Sequence, residues 1–487
     1  MKLYLFGIGG TGSRVLRSLI MLLASGVKIN ATEIIPIIID ADKSLGDLED
    51  VNKLLELYTN ISNRITFNSN VKSDFFKTKI NLEAVENDIL LPLERVDDLT
   101  FKDYIGYNEL NDNEKAFASL LFSESNLNAS MEVGFKGNPN IGSVVLNQFP
   151  DSEKLQKLLS TFAQGDRIFI ISSIFGGTGA SGFPLLAKNL RNLSATVNNS
   201  EYVQNAKMGA ISVMPYFDVK PSADSEINSD TFISKTKAAL KYYYRNVTET
   251  NVLYYVGDKI RNQYENCEGG KDQQNDAHIV ELISALSIID FMDIDDKTLE
   301  DKRKPTIYKE FGLGKEVDDN NLISFIDLAK ATRDRLCMPL TKLMLFYKYI
   351  SEHEKEGKKQ PWATNVFAEF FDSTEYAELK DFMIGERGSY SLLQWYSELF
   401  KNKRGFCPYK LEKDEDHLFD FVVGVKSKKM VTLDRNYSIY DSCLNSNVRK
   451  LSNDIDTNTK FIELFYVTAE ELIEKKLGNL SGLINNK

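Results

Sequence analysis

The sequence is poor in the residues that most metal and nucleophilic chemistry needs. Its 487 residues include three histidines, four cysteines and two tryptophans. The histidines do not fall at metal-ligand spacing. The cysteines (Cys267, Cys337, Cys407, Cys443) lie far apart with no C-x-x-C pair. That excludes a zinc signature, fits a reducing, cytoplasmic setting, and leaves no metal ligand set to name. Basic residues are also in deficit, with 59 Lys and Arg against 70 Asp and Glu and a net charge of −11. A sustained basic footprint is therefore missing, and no direct nucleic-acid partner is expected. Short basic groups such as Lys426, Lys428 and Lys429 read as solvated. Long apolar runs are absent too: no segment approaches the ~20 residues of a membrane span. The first residues do not read as a signal peptide, because 1–6 run straight into glycines. No repeat or low-complexity linker is visible.

What is present is an ordinary globular composition, 43% hydrophobic and 26% charged. The length exceeds a single core, so two or three domains are expected. One stretch organises the rest: Gly176, Gly177, Thr178, Gly179, Ala180, Ser181 and Gly182. It follows the apolar run 167–174 (RIFIISSI) and precedes a helical pattern over 183–190. Strand, glycine loop and helix together aim backbone N–H groups and a helix dipole at an anion. Thr178 and Ser181 add hydroxyl donors. The bland alternative is a tight strand-to-helix turn.

Two further loops share this character. Residues 2–6 (KLYLF) read as a buried strand before Gly7-Ile8-Gly9-Gly10-Thr11-Gly12-Ser13 and a helix from about Arg14 to Ser25. G-x-G-x-x-G opening a helix is common to several nucleotide-binding folds. The other loop runs from Gly134 to Ser143 and contains Gly137 and Asn138, with an Asn-Pro step that enforces an extended turn. Taken singly, it could be a surface turn. A second strand, 34–39 (IIPIII), ends in Asp40 and Asp42, placed either to read a ribose hydroxyl or a metal-bound phosphate, or only to cap the next turn. Further strands at 208–214 and 252–256 end near Asp218 and Asp258, and a helix is expected over 231–245. Residues 262–276 read as loop. From 277 to 291 (AHIVELISALSIIDF) runs a helix apolar on most faces, hence buried. Strands alternating with helices give an α/β fold, a Rossmann-like doubly wound parallel sheet, whose ligand sits at the carboxyl ends of the strands.

This ordered set of loops resembles the tubulin/FtsZ superfamily of GTP-binding proteins, closest to its divergent bacterial tubulin-like members. GGTGASG (176–182) is similar to the superfamily's signature glycine loop, GIGGTGS (7–13) to its first phosphate loop, and GNPNIG (137–142) to its third. The resemblance covers about 1–295. It implies GTP/GDP as ligand, with Mg2+. It assigns Asn275 and Asp276 to the guanine edge, where an acid would accept from N1–H and the 2-amino group. It also implies head-to-tail self-association into filaments, in which an acidic segment after the central helix completes the neighbour's site. Here that segment (290–301) departs from the family's NxDxxD pattern, leaving Asp295, Asp296 and Asp301 as candidate catalytic acids. The expected domains are 1–276 for GTP binding, 277–304 for the central helix and acidic loop, and 305–487 for an α+β activation domain able to take a protein partner. Two other readings stay open: a nonpolymerising nucleotide switch or scaffold in a larger bacterial system, and, more remotely, a Rossmann dinucleotide-dependent enzyme.

Residues 305–487 are less informative. A long helix interrupted at Pro339, a solvated connector at 351–360, a strand at 418–425 and a helix at 460–474 are expected. Trp362 and Trp395 read as core, and the tail from 478 as mobile.

Overall fold

The structure is a computed structural model. It describes residues 1–42, 46–96, 99–131, 135, 137–220, 229–260, 262–264, 275–300, 306–310, 322–412, 417–425, 436–477 and 480. The expectations for Gly134, Cys267, Asp301, 426–429 and nearly all of the tail lie outside them.

A parallel sheet forms the centre. Its strands are β1 (Lys2–Ile8), β2 (Glu33–Ile39), β3 (Lys79–Ile80), β4 (Leu90–Leu91), β5 (Arg167–Ser173), β6 (Lys207–Val213), β8 (Val252–Val256) and β10 (Ile307–Glu310). The order is β10-β8-β6-β5-β1-β2-β3, with β4 also on β2. A separate small sheet pairs β7 (Phe217–Val219) with β9 (Asn262–Tyr264), and β9 falls in the stretch 262–276 read from sequence as loop. β1, β2, β5 and β6 are almost wholly buried, as near-continuous Ile, Leu, Val and Phe runs require when helices cover both faces.

From β1 the chain winds outward through β2 to β3, then returns to lay β5 on the other side of β1. The direction of winding therefore reverses between β1 and β5, and the carboxyl ends of those strands open a crevice. Helices α1 (Gly9–Ala24) and α2 (Gly46–Asn63) pack on each other beside one face. The loop helix α3 (Pro139–Val145) packs on α4 (Gly177–Arg191), and α5 (Ser229–Asn246) also contacts α4. Helix α6 (Ile279–Asp293) lies against α1, β6 and β8. Every residue from Ile279 to Met292 except Asp290 is buried, as its all-round apolar sequence requires. Asp290 stays half-exposed by accepting from Tyr254 Oη at 2.6 Å and Lys309 Nζ at 2.7 Å.

The C-terminal region is helical: α7 (Lys330–Gly357), α8 (Thr374–Ile384), α9 (Leu392–Lys401), α10 (Tyr437–Asn447) and α11 (Thr457–Leu472). Among the described residues after β10 the strand pairing of the expected α+β domain is reduced to isolated bridges, Ile323 with Phe406 and Tyr409 with Val422. The run 418–425 is not a strand. Leu418–Asp420 is a 3₁₀ turn; the apolar residues around it are buried by packing from several sides, and Gly424 at φ +78° turns the chain away. Helix α7 runs unbroken through Pro339 and through most of the expected connector. Leu336, Leu340 and Leu343 bury its central face, and the pairs Lys348–Glu352 (2.5 Å) and Lys358–Glu354 (2.7 Å) brace its last turns. Trp362 and Trp395 are core residues, as expected, and Trp395 Nε1 donates to Ser18 Oγ of α1 at 3.2 Å. β10 falls after residue 304 and yet is the edge strand of the main sheet.

Candidate functional site

The crevice at the β1/β5 reversal is built from three helix starts. α1 begins at Gly9, earlier than the expected Arg14, because Gly9 adopts φ +71° and lets the chain pass directly from strand to helix. α4 begins at Gly177 with Gly176 as N-cap, and α3 begins after Asn138. A side-chain carbon placed on Gly9 would lie 3.7 Å from Thr178 Cβ; one on Gly177 would lie 3.0 Å from Asn138 N and 3.2 Å from Gly137 Cα. One on Gly142 would overlap Ser181 Oγ. Gly177 thus lets the second and third loops meet backbone to backbone, Gly142 leaves room for Ser181, and Gly9 brings the first loop into van der Waals reach of Thr178.

None of the three helices has a side-chain cap or an acid in its first turn. α6, by contrast, is closed by a His278/Glu281 capping box. Uncapped first turns leave N–H groups and positive dipole ends directed at one place, the arrangement that holds an anion. Gly9, Gly10, Gly137, Asn138, Gly176 and Thr178 are partly accessible there. Thr11, Gly12, Ser13, Gly177, Gly179, Ala180 and Ser181 lie buried beneath them. The Ser181 hydroxyl, expected as a ligand donor, donates instead to Gly177 O at 2.7 Å within its own helix.

Lys235 of α5 was not singled out by the sequence. Its Nζ donates to Gly137 O at 2.6 Å, fixing the third loop (Gly137 at φ +69°) and bringing a cation to its edge. Asp40 and Asp42, at the tip of β2, are buried. Burial pushes the Asp40 carboxyl up to about 7, and the Asp42 carboxylate nearby adds to that effect. Among the described residues no group of three or more His, Cys, Asp or Glu could hold a metal alone.

Behind the crevice sits a buried charge network. Arg14 donates to Glu281 Oε1 and Asp47 Oδ2, both at 2.7 Å, and to Thr11 Oγ1 and Tyr216 Oη at 3.3 Å. Tyr216 Oη donates to Glu281 at 2.6 Å. One turn on, Arg17 stacks over Tyr390 at 4.2 Å and faces Glu398 of α9 at 3.6 Å. The first loop is thereby tied to the start of α2, the start of α6 and the C-terminal helices.

Asn275 and Asp276 precede α6 at this end of the sheet. Asp276 is half-buried, and its carboxyl is raised by burial and then by Glu398. Asn275 Nδ2 is buried with no hydrogen-bond partner among the described residues. Asp258 is committed elsewhere, to Arg404 Nη1 at 2.6 Å, and Asp218 Oδ1 accepts from Val219 N within β7.

Asp295 and Asp296 are exposed at the opposite end of the sheet. Arg167, the first residue of β5, reaches Phe291 O at 2.7 Å, Ile294 O at 2.8 Å and Asp296 Oδ1 at 2.6 Å. Asp295 accepts from Lys297 N at 3.1 Å. The seven residues of β5 span roughly 20 Å, so these acids do not reach the crevice of their own chain.

No protein-family model and no curated protein matches the chain. Among solved structures it is similar to the GDP-bound monomer of CetZ1 from Haloferax volcanii, at 13% identity over 53% of this chain and 51% of that one, TM-score 0.29. It is similar to FtsZ from M. jannaschii at 14% identity, over 53% and 46%, TM-score 0.27. It is also similar to a GTPγS-bound protofilament of CetZ2 from Haloferax volcanii at 16% identity, over 61% and 61%, TM-score 0.30. These similarities are at low identity, and they span less than two thirds of each of those chains. No helix among the described residues is long and apolar enough to cross a membrane.

Proposed function

We propose that the chain is a tubulin-like guanine-nucleotide-binding protein that hydrolyses GTP when copies associate head to tail. The observation that carries this reading is the meeting of three uncapped, acid-free helix starts at the β1/β5 crevice. A triphosphate offers the charge such a ring of amides holds, and Thr178 and Lys235 would add donors at its edge. Asp276 would accept from the guanine N1–H and 2-amino group, and Asn275 Nδ2 would donate to a base oxygen, favouring guanine over adenine. Asp40 and Asp42 fit a Mg2+ held mainly by the phosphates, since a cation beside Asp40 would offset the cost of its buried charge.

The roughly 20 Å between crevice and acidic segment supports catalysis across subunits. Asp295 or Asp296 of one copy, with Asp301, would orient a water toward the γ-phosphate held by the next. The products are GDP and phosphate. A contact of unlike faces that does not close gives a filament.

One observation favours the second reading, a switch that does not polymerise. Asp296 is paired with Arg167, and Asp293 with Arg335 at 2.8 Å, so both carboxylates are engaged by guanidinium groups of their own chain. GTP turnover per subunit against protein concentration separates the two. A rate that rises with concentration supports catalysis between subunits, and a flat, slow rate with GTP or GDP bound supports the switch.

A further inference from the structure

Two exposed helix faces remain with no role in the crevice or the acidic segment. The first lies on the ten-residue helix Asp112–Leu121, in the insertion after β4. Ala118 is its one buried residue, while Phe117 is 63% exposed, Leu120 84% and Leu121 52%. At i, i+3 and i+4 these three share one face, and Glu114, three residues before Phe117, shares it with them. The second lies on α5. Ile233 and Tyr244 (81% exposed) fall on one stripe with the exposed Lys237 and Lys241, at i, i+11, i+4 and i+8. A soluble surface does not ordinarily leave such large side chains open in rows.

The first stripe, from Glu114 to Leu121, rises about 10 Å and the second, from Ile233 to Tyr244, about 16 Å, so the first fits within the second. They are opposite in charge, an apolar row with an acidic flank against an apolar row carrying two cations. They belong to segments attached to different strands of the main sheet. The insertion follows β4, which pairs with β2 on one side of β1, and α5 leads into β8 on the far side of β5. A self-contact through the α5 face would set Lys237 and Lys241 of one copy against those of the other. A contact of one face with the other on a second copy buries both apolar rows and pairs the charges.

We infer that the face of Phe117, Leu120 and Leu121 docks on the Ile233, Lys237, Lys241 and Tyr244 face of a second copy, giving a side-by-side association independent of nucleotide. It uses neither the glycine loops nor the acidic segment, so it stands whether or not those bind and cleave GTP. Two helices bury less than a standard interface, so the association is weak and salt-dependent.

Sedimentation velocity on the full chain, without nucleotide and with GDP, tests this at low and high salt. The wild type should self-associate with rising concentration, less so at high salt. Leu120→Asp and Tyr244→Asp should each weaken association about tenfold, while circular dichroism stays unchanged because both positions are exposed. The deciding arm mixes the two variants. Each keeps one intact face, so the mixture should recover association but stop at dimers. A monomeric wild type at all concentrations, unaltered association in both variants, or failure of the mixture to recover would each overturn the inference. Association that needs GTP and survives both substitutions would instead be the head-to-tail contact.

Discussion

Replacing Gly177 with valine tests the phosphate crevice at its tightest point. The new Cβ would sit 3.0 Å from Asn138 N and 3.2 Å from Gly137 C and Cα. Those atoms are backbone and cannot swing aside, so the third loop must move off α4. The strain of such overpacking is about 1–3 kcal/mol, which a fold of this size survives. Binding loses more. Displacing the α3 start removes on the order of two amide donors from the phosphates, each about 1.5–3 kcal/mol when the acceptor is charged. The sum, roughly 3–6 kcal/mol, corresponds to roughly 10²- to 10⁴-fold weaker GTP binding. Calorimetric titration of folded Gly177→Val against wild type measures it, and Gly177→Ala should fall between the two. A valine variant with an unchanged circular dichroism spectrum and wild-type GTP affinity would refute the assignment of phosphate to these amides.

Three other outcomes are expected. Asp276→Ala should bring GTP and ATP affinities together while leaving triphosphate binding in place; competition titrations that show the wild-type preference intact would remove Asp276 from the base site. Asp295→Ala, alone and with Asp296→Ala, should slow GTP turnover at high protein concentration roughly 10²- to 10⁴-fold without weakening nucleotide binding, and normal turnover would move the catalytic acid elsewhere. Asp40 should make ligand-free stability fall as pH rises. Its folded value of about 7 exceeds the ordinary carboxylate value of roughly 3.9, so the folded chain holds a proton that the unfolded chain has released. That contribution is complete below about pH 4 and is lost as pH rises through 7. Urea midpoints of wild type and Asp40→Asn compared between about pH 5 and pH 8 should show the wild type losing stability relative to the variant as pH rises, and parallel curves would show that Asp40 does not titrate there.

The crevice was legible in the sequence because its physics is local. Four glycines between an apolar run and a helix pattern restrict what a backbone can do, and β1, β2, β5, β6 and β8 each announce themselves as short apolar runs. β10 did not, because Ile-Tyr-Lys-Glu at a half-exposed edge has no apolar run to read. Pro339 read as a break, yet buried leucines on either side hold α7 together through it. The run 418–425 read as a strand because burial from many directions and burial in a sheet produce the same apolar string. The Arg14 network was out of reach altogether: its partners at 47, 216 and 281 are brought together only by the fold.

The most direct test of the central claim is titration of the purified chain with GTP, ATP and NAD under identical conditions. The account predicts saturable GTP binding that is tighter than ATP or NAD and is lost in Gly177→Val. Binding of NAD in preference to GTP, or GTP binding that Gly177→Val leaves untouched, would contradict it.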